Sequence, residues 1–164
     1  MWKENDVVRF GAEGVCRITS VEKLSLTPAG RKDYYILEPL YGSGTTIYVE
    51  VEEGERLLRP PLSAKEINRM IDAIPEEEQR EPDPESDRVQ VNTYLKDGNM
   101  EALLLVISAL YRRGQQRRKA GKEQRSADRQ NLQRAETAVN RDLGYGLGID
   151  PSEVPGYIRT RLEG

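Results

Sequence analysis

Between Asp6 and Glu52 apolar residues recur at about every second position, in short runs broken by glycine and proline. That is the period of a half-buried strand. Val7, Val8 and Phe10 predict a first strand, and Gly11-Ala12-Glu13-Gly14 turns the chain. From Val15 to Glu22, Cys16, Ile18 and Val21 alternate with Arg17, Thr19 and Glu22, which predicts a second. "TPAG" (Thr27 to Gly30) carries turn chemistry, since proline presets φ and glycine permits φ > 0. "DYYILEPLY" (Asp33 to Tyr41) predicts a third strand. After "GSG" (Gly42 to Gly44), "TTIYVEVE" (Thr45 to Glu52) predicts a fourth. Short strands with this punctuation argue for a small antiparallel sheet or barrel.

The period then changes to that of a helix. Ser63 and Glu66 have the spacing of a capping box, each side chain satisfying an orphan N–H. Ile67, Met70, Ile71 and Ile74 mark one face up to Pro75. This helix is expected to lid the β layer. "EEEQREPDPESD" (76–87) holds seven acids, two prolines and no apolar residue, a composition that cannot bury surface and reads as a linker. Beyond it, "RVQVNTYLK" predicts a short helix, although Val89 and Val91 fit a strand equally well. Met100, Leu103, Leu104, Ile107, Leu110 and Tyr111 follow the i, i+3, i+4, i+7 rule behind an Asn99 cap. A further helix is expected from about Ala127 to Leu143, with Leu132, Ala135, Val139 and Leu143 inward and Gly144 as terminator. "DPSEVPGYIRTRL" predicts a last one, with Ser152 as cap and Pro155 in its first turn.

Composition narrows the chemistry. The 164 residues contain one cysteine and no histidine. A multi-cysteine zinc site, an intrachain disulfide and every histidine-based catalytic arrangement are thereby excluded. Cys16, inside a strand pattern, reads as a small buried hydrophobe. No run of 18 apolar residues occurs, and "MWKENDVV" lacks the apolar core of a signal peptide, so a cytoplasmic protein without membrane contact is expected. Charge is divided unevenly. Residues 1–84 carry 11 Lys/Arg against 17 Asp/Glu, a net of −6, and residues 85–164 carry 14 against 11, a net of +3. Leu110 to Arg134 alone holds nine basic residues and two acids.

The glycines of "FGAEGVCRITSVEK" invite comparison with a phosphate-binding loop. Such a loop needs a helix behind it, whose N–H groups face the anion. A strand follows here, so the pair reads as a corner between strands. The basic stretch "YRRGQQRRKAGKEQR" places Arg112 and Arg113 on the solvent side of its helix, and Arg134 and Arg141 point away from the next helix's apolar stripe. They read either as a solvated face or as phosphate contacts. Glu50, Glu52, Glu53 and Glu55 cluster after the fourth strand, and Glu76 to Glu78 after the lid helix. Lying in polar surroundings, they read as solvated charges rather than a catalytic pair. "TTIYVEV" and "YYILEPLY" are candidate edges for strand addition.

"DVVRFGAEGVCRITSVE" followed by "DYYILEPLYGSGTTIYVEVE" resembles the N-terminal module of CarD/CdnL-type bacterial transcription regulators, shared with the transcription-repair coupling factor. "LKDGNMEALLLVISALYRRGQQRR" and "SADRQNLQRAETAVNRDLG" resemble the helices of that family's second domain. The resemblance implies a Tudor-like or SH3-like barrel that grips the RNA polymerase β subunit strand to strand, and a helical domain lying over promoter DNA. By position it assigns polymerase contact to the segments Lys23 to Ser25 and Thr45 to Val49, chiefly Lys23, Leu24, Thr46 and Tyr48. The family's tryptophan wedge against unwound DNA would fall near Pro84 to Arg88, an acidic stretch here, and Trp2 lies in the other module.

The expectation is thus an α+β chain: a polymerase-interacting Tudor/SH3-like barrel over 1–60, a helix over 61–75, a linker over 76–87 and a helical domain over 88–164. It is expected to be a non-catalytic transcription regulator without metal, cofactor or small-molecule substrate. Arg88, Arg112, Arg113, Arg117, Arg118 and Lys119 are expected to meet DNA. An adaptor that binds polymerase or another partner without touching DNA is the alternative.

Overall fold

A computed structural model describes residues 1–42, 44–77 and 84–164, with backbone only for 76, 77 and 84–88. The chain divides into two units, Met1–Pro61 and Leu62–Gly164.

In the first unit, β1 (Val7–Phe10), β2 (Gly14–Thr27), β3 (Gly30–Pro39) and β4 (Ile47–Glu50) form one antiparallel sheet in the order β1-β2-β3-β4. Alternation sends Val8, Cys16, Ile18, Tyr35, Leu37 and Val49 to one face, where Leu58 joins them and Trp2, Phe10, Ile47 and Val51 pack at the rim. The Gly-x-x-Gly segment is a corner, a 3-10 turn over Gly11–Glu13 with Gly11 and Gly14 at φ 46° and 71°. Glycine takes those angles at little cost. Cys16 is fully buried.

The expected barrel is not what the strands make. Among the described residues no ladder joins β4 to β1, so the sheet is an open meander. Period-two alternation predicts a strand running on through Glu52, yet the chain turns into a helix, α1 (Val51–Leu57), with Glu52 and Glu53 in its first turn. Carboxylates there suit the helix's positive end. Gly54 lets α1 lie on the sheet, since a methyl in its place would come 2.7 Å from a Tyr35 ring carbon.

The second unit is helical: α2 (Ala64–Glu77), α3 (Pro84–Asp97), α4 (Met100–Lys119), α5 (Ser126–Leu147) and α6 (Val154–Glu163). The Ser63–Glu66 box caps α2, with Glu66 N–H donating to Ser63 Oγ at 3.1 Å and Ser63 N–H to Glu66 Oε1 at 3.3 Å. Asn99 caps α4 by accepting from Ala102 N–H at 3.1 Å. The α2 helix, expected as a lid, packs within the helical unit. Ile67, Ile71 and Ile74 share one core with Val91, Leu103, Leu104, Ala135, Val139, Leu143 and Val154. The division of the chain accordingly falls before α2, not in the acidic segment 76–87, of which 78–83 lie outside the described residues.

Three helix ends differ from the expectation. α2 runs through Pro75, where a single ladder bond is lost near the helix end. α5 continues past Gly144 to Gly148, whose φ of 70° provides the left-handed stop. Ahead of α6, Ser152 lies in a 3-10 turn (Pro151–Glu153) that Asp150 caps, accepting from Ser152 N–H at 2.9 Å, and the α6 N-cap is Glu153. No helix among the described residues is long and apolar enough to cross a membrane.

Candidate functional site

The two margins of the sheet are unlike. Outside β1 the chain returns to cover it: Arg9 N–H donates to Arg59 O at 2.7 Å, Arg59 N–H to Arg9 O at 3.1 Å, and Arg9 Nε to Pro60 O at 3.1 Å. β4, at the other end, is paired among the described residues on one side only, by Leu37↔Ile47, Ile36↔Tyr48, Tyr35↔Val49 and Tyr34↔Glu50. β2 also outruns its neighbour. Its ladder with β1 stops at Val7↔Arg17, whereas its ladder with β3 continues to Thr27↔Gly30. The outer side of β2 from Thr19 onward is therefore a second open margin among the described residues. Val21 and Leu26 stand exposed along it.

These facts sort the expected polymerase contacts. Lys23 and Leu24 lie on the β2 margin, paired inward with Asp33 and Lys32. Tyr48 lies on β4, half exposed, and Thr46 in the lead-in to that strand, also exposed. β3 stands between the two groups, which are thus roughly 10 Å apart across two strand spacings. They are two opposite margins rather than one strip. β3 is paired on both sides from Tyr34 to Leu37, so that part of "YYILEPLY" offers no edge.

A polar network ties the N-terminal segment to this sheet. Tyr35 O–H donates to Glu55 Oε1 at 2.5 Å and accepts from Trp2 N–H at 3.1 Å. Burial, then the Glu55 hydrogen bond, raises the Tyr35 phenol above its ordinary value, and the same hydrogen bond lowers Glu55. Trp2 packs against the core of its own unit. The glutamate cluster after the fourth strand is this short α1 helix and the residue before it.

The basic residues of the helical unit also separate. Arg113 does not face solvent as its helical register suggested. It turns toward the fully buried Asp128 of α5, Nε to Oδ2 at 3.1 Å. Arg117 is partly buried and donates from Nε to the Glu123 carbonyl at 2.8 Å. Arg141 is largely covered and pairs with Asp142 at 3.2 Å. Arg134 bonds to Asn92 Oδ1 at 2.6 Å. Arg112, Arg118 and Lys119 are exposed, and the Arg88 side chain lies outside the described residues. Tyr111, assigned inward by periodicity, is 59% exposed, and Leu132 is only half-buried. Asp128, Asn131 and Asp142 take buried places that an apolar template overlooks. Among the described residues no group of three or more Cys, Asp or Glu is gathered as a metal would require.

Comparison with protein families decides what the β unit is. The model for the CarD-like/TRCF RID domain matches residues 2–61, almost the whole of the first unit. The β unit is a CarD-like RID domain. The RID domain is thus placed among RNA polymerase-interacting domains, with a role in transcription. Residues 62–164 lie beyond that match. No curated protein matches the chain.

Proposed function

We propose that this chain is a non-catalytic transcription regulator that docks on the polymerase β subunit through its RID domain and brings its helical unit to promoter DNA. The observation that carries this reading is the coincidence of the RID match with a sheet that keeps open margins. An unpaired strand edge presents N–H and C=O groups to a partner strand, and the side chains beside it set the choice of partner. On the β4 margin those are Ile47 and the exposed Tyr48; on the β2 margin, Lys23, Leu24 and Leu26. Arg112, Arg118 and Lys119 supply the phosphate contacts, in which each neutralised phosphate releases counterions.

The test is a pulldown of core polymerase by the purified chain. Tyr48→Glu charges the β4 margin and Leu24→Glu the β2 margin, both at solvent-accessible positions. One of the two is expected to cut recovered polymerase at least tenfold with an unchanged circular dichroism spectrum. Full recovery with both variants would sink docking by strand addition.

A further inference from the structure

The C-terminal half of α4, the start of α5 and the loop joining them line an open-sided cavity of about 460 Å³, of which the proposed phosphate contacts use only Arg118. Tyr111, Gln115 and Arg118 descend one side of α4 at i, i+4 and i+7, Lys122 follows in the loop, and Arg129 and Leu132 line the cavity from α5. Gly114 lies in the floor, where a side chain would occupy the hollow beside Gln124. A second hollow of similar size, lined by Gln115, Arg118 and Lys119, adjoins the first and shares two of its residues.

The chemistry of the lining is selective. Tyr111 offers an exposed aromatic ring and Leu132 an apolar surface. Gln115 and Gln124 offer paired donors and acceptors. Arg118, Lys122 and Arg129 are exposed, and among the described residues none of them has a carboxylate partner. Asp128, the nearby acid that could have neutralised them, is buried and held by Arg113. Glu123 is the single acid in the lining, one carboxylate against the three cations. A flat ring, polar edges and an anion are what such a cavity accommodates: stacking on tyrosine tolerates any base, and cations take the phosphate. The volume falls within the usual range for small-ligand sites.

We propose that this cavity is a nucleotide site. The heterocycle stacks on Tyr111, Gln115 and Gln124 meet its edge, and the phosphate sits among Arg118, Lys122 and Arg129. The ligand is a nucleoside phosphate, supplied either free or as an unstacked nucleotide of a strand. In the second case the inference rests on the helical unit meeting DNA, and the adjoining hollow receives the neighbouring phosphate.

The test titrates the full chain with adenosine 5′-monophosphate and, separately, with a twelve-residue oligothymidylate at low salt. Amide shifts in nuclear magnetic resonance report the site. Shifts gathered at Tyr111, Gln115 and Leu132 are expected with at least one probe. The monophosphate responding identifies a free nucleotide, and the oligomer alone a strand. Tyr111→Leu should weaken binding about tenfold, the scale of one stacked base. Gln115→Glu, which puts a carboxylate into the cavity from a solvent-facing position, should weaken it further. Neither probe moving these amides, or Tyr111→Leu leaving the affinity unchanged, would overturn the proposal. Polymerase pulldown is expected to be indifferent to Tyr111→Leu. Failure of the parent chain to capture polymerase, with its nucleotide shifts present, would overturn the docking reading alone.

Discussion

Arg113 and Arg118 are five positions apart on one helix, and the fold uses them in opposite ways. Arg113 compensates a fully buried carboxylate, Asp128, whereas Arg118 stands in solvent. Removing one partner of a buried ion pair leaves an uncompensated charge, a loss of about 3–5 kcal/mol. Arg113→Ala should therefore lower the melting temperature of the helical unit markedly, and Arg118→Ala should leave it within a degree or two; calorimetry separates them. Tyr35 gives a pH-dependent counterpart. Its phenol is raised above the ordinary value by burial and by the Glu55 hydrogen bond. A group raised in the folded state contributes its full stability below the unfolded pKa, about 10 for tyrosine, and loses it as pH climbs through the folded value. Tyr35→Phe should melt below the parent at neutral pH, with the gap closing above about pH 10; a gap independent of pH would refute the assignment.

Helix packing explains why α2 belongs with the helical unit. α6 holds it from outside, with Tyr157 O–H donating to Asn68 Oδ1 at 2.5 Å and Arg161 gripping both Asp72 oxygens at 2.8 Å. From within, Gly146 of α5 allows the chain at Leu62 to pass against it. A methyl on Gly146 would overlap the Leu62 carbonyl oxygen and come 2.5 Å from Ile67 Cδ1. Because backbone cannot step aside as a side chain can, Gly146→Ala should destabilise the helical unit by about 1–3 kcal/mol. Chemical denaturation followed at the helical signal checks this, and no loss would mean that α2 is loosely attached. The tail from 144 onward thus completes the helical core rather than extending from it.

Over the whole molecule, an acidic N-terminal half precedes a half whose basic excess is concentrated near the α4–α5 turn. The Arg113–Asp128 pair cancels within itself, so the exposed Arg112, Arg118, Lys119, Lys122, Arg125 and Arg129 set the field of that turn. Phosphate binding there should be strongly salt-dependent: with about four phosphates neutralised, affinity for duplex DNA falls roughly 100-fold between 50 and 200 mM salt. A flat salt profile in a fluorescence anisotropy titration would leave the adaptor without DNA contact as the better account.

How much of this the chain announces depends on the range of the interaction concerned. Period-two alternation marked four strands, and the Ser63–Glu66 and Asn99 caps marked two helix starts, because neighbours within a few residues decide them. The resemblance to the CarD-like module was legible in the same local patterns, and the family match over 2–61 agrees with it. What the sequence alone could not decide rests on distant partners. Whether the sheet closes, which strand margins stay open, which core receives Ile67 and Ile71, and whether Arg113 faces solvent or Asp128 are settled only when segments far apart in sequence are packed together. The cavity beside Tyr111 belongs to that second class: periodicity sent the ring inward, and the packed fold leaves it exposed.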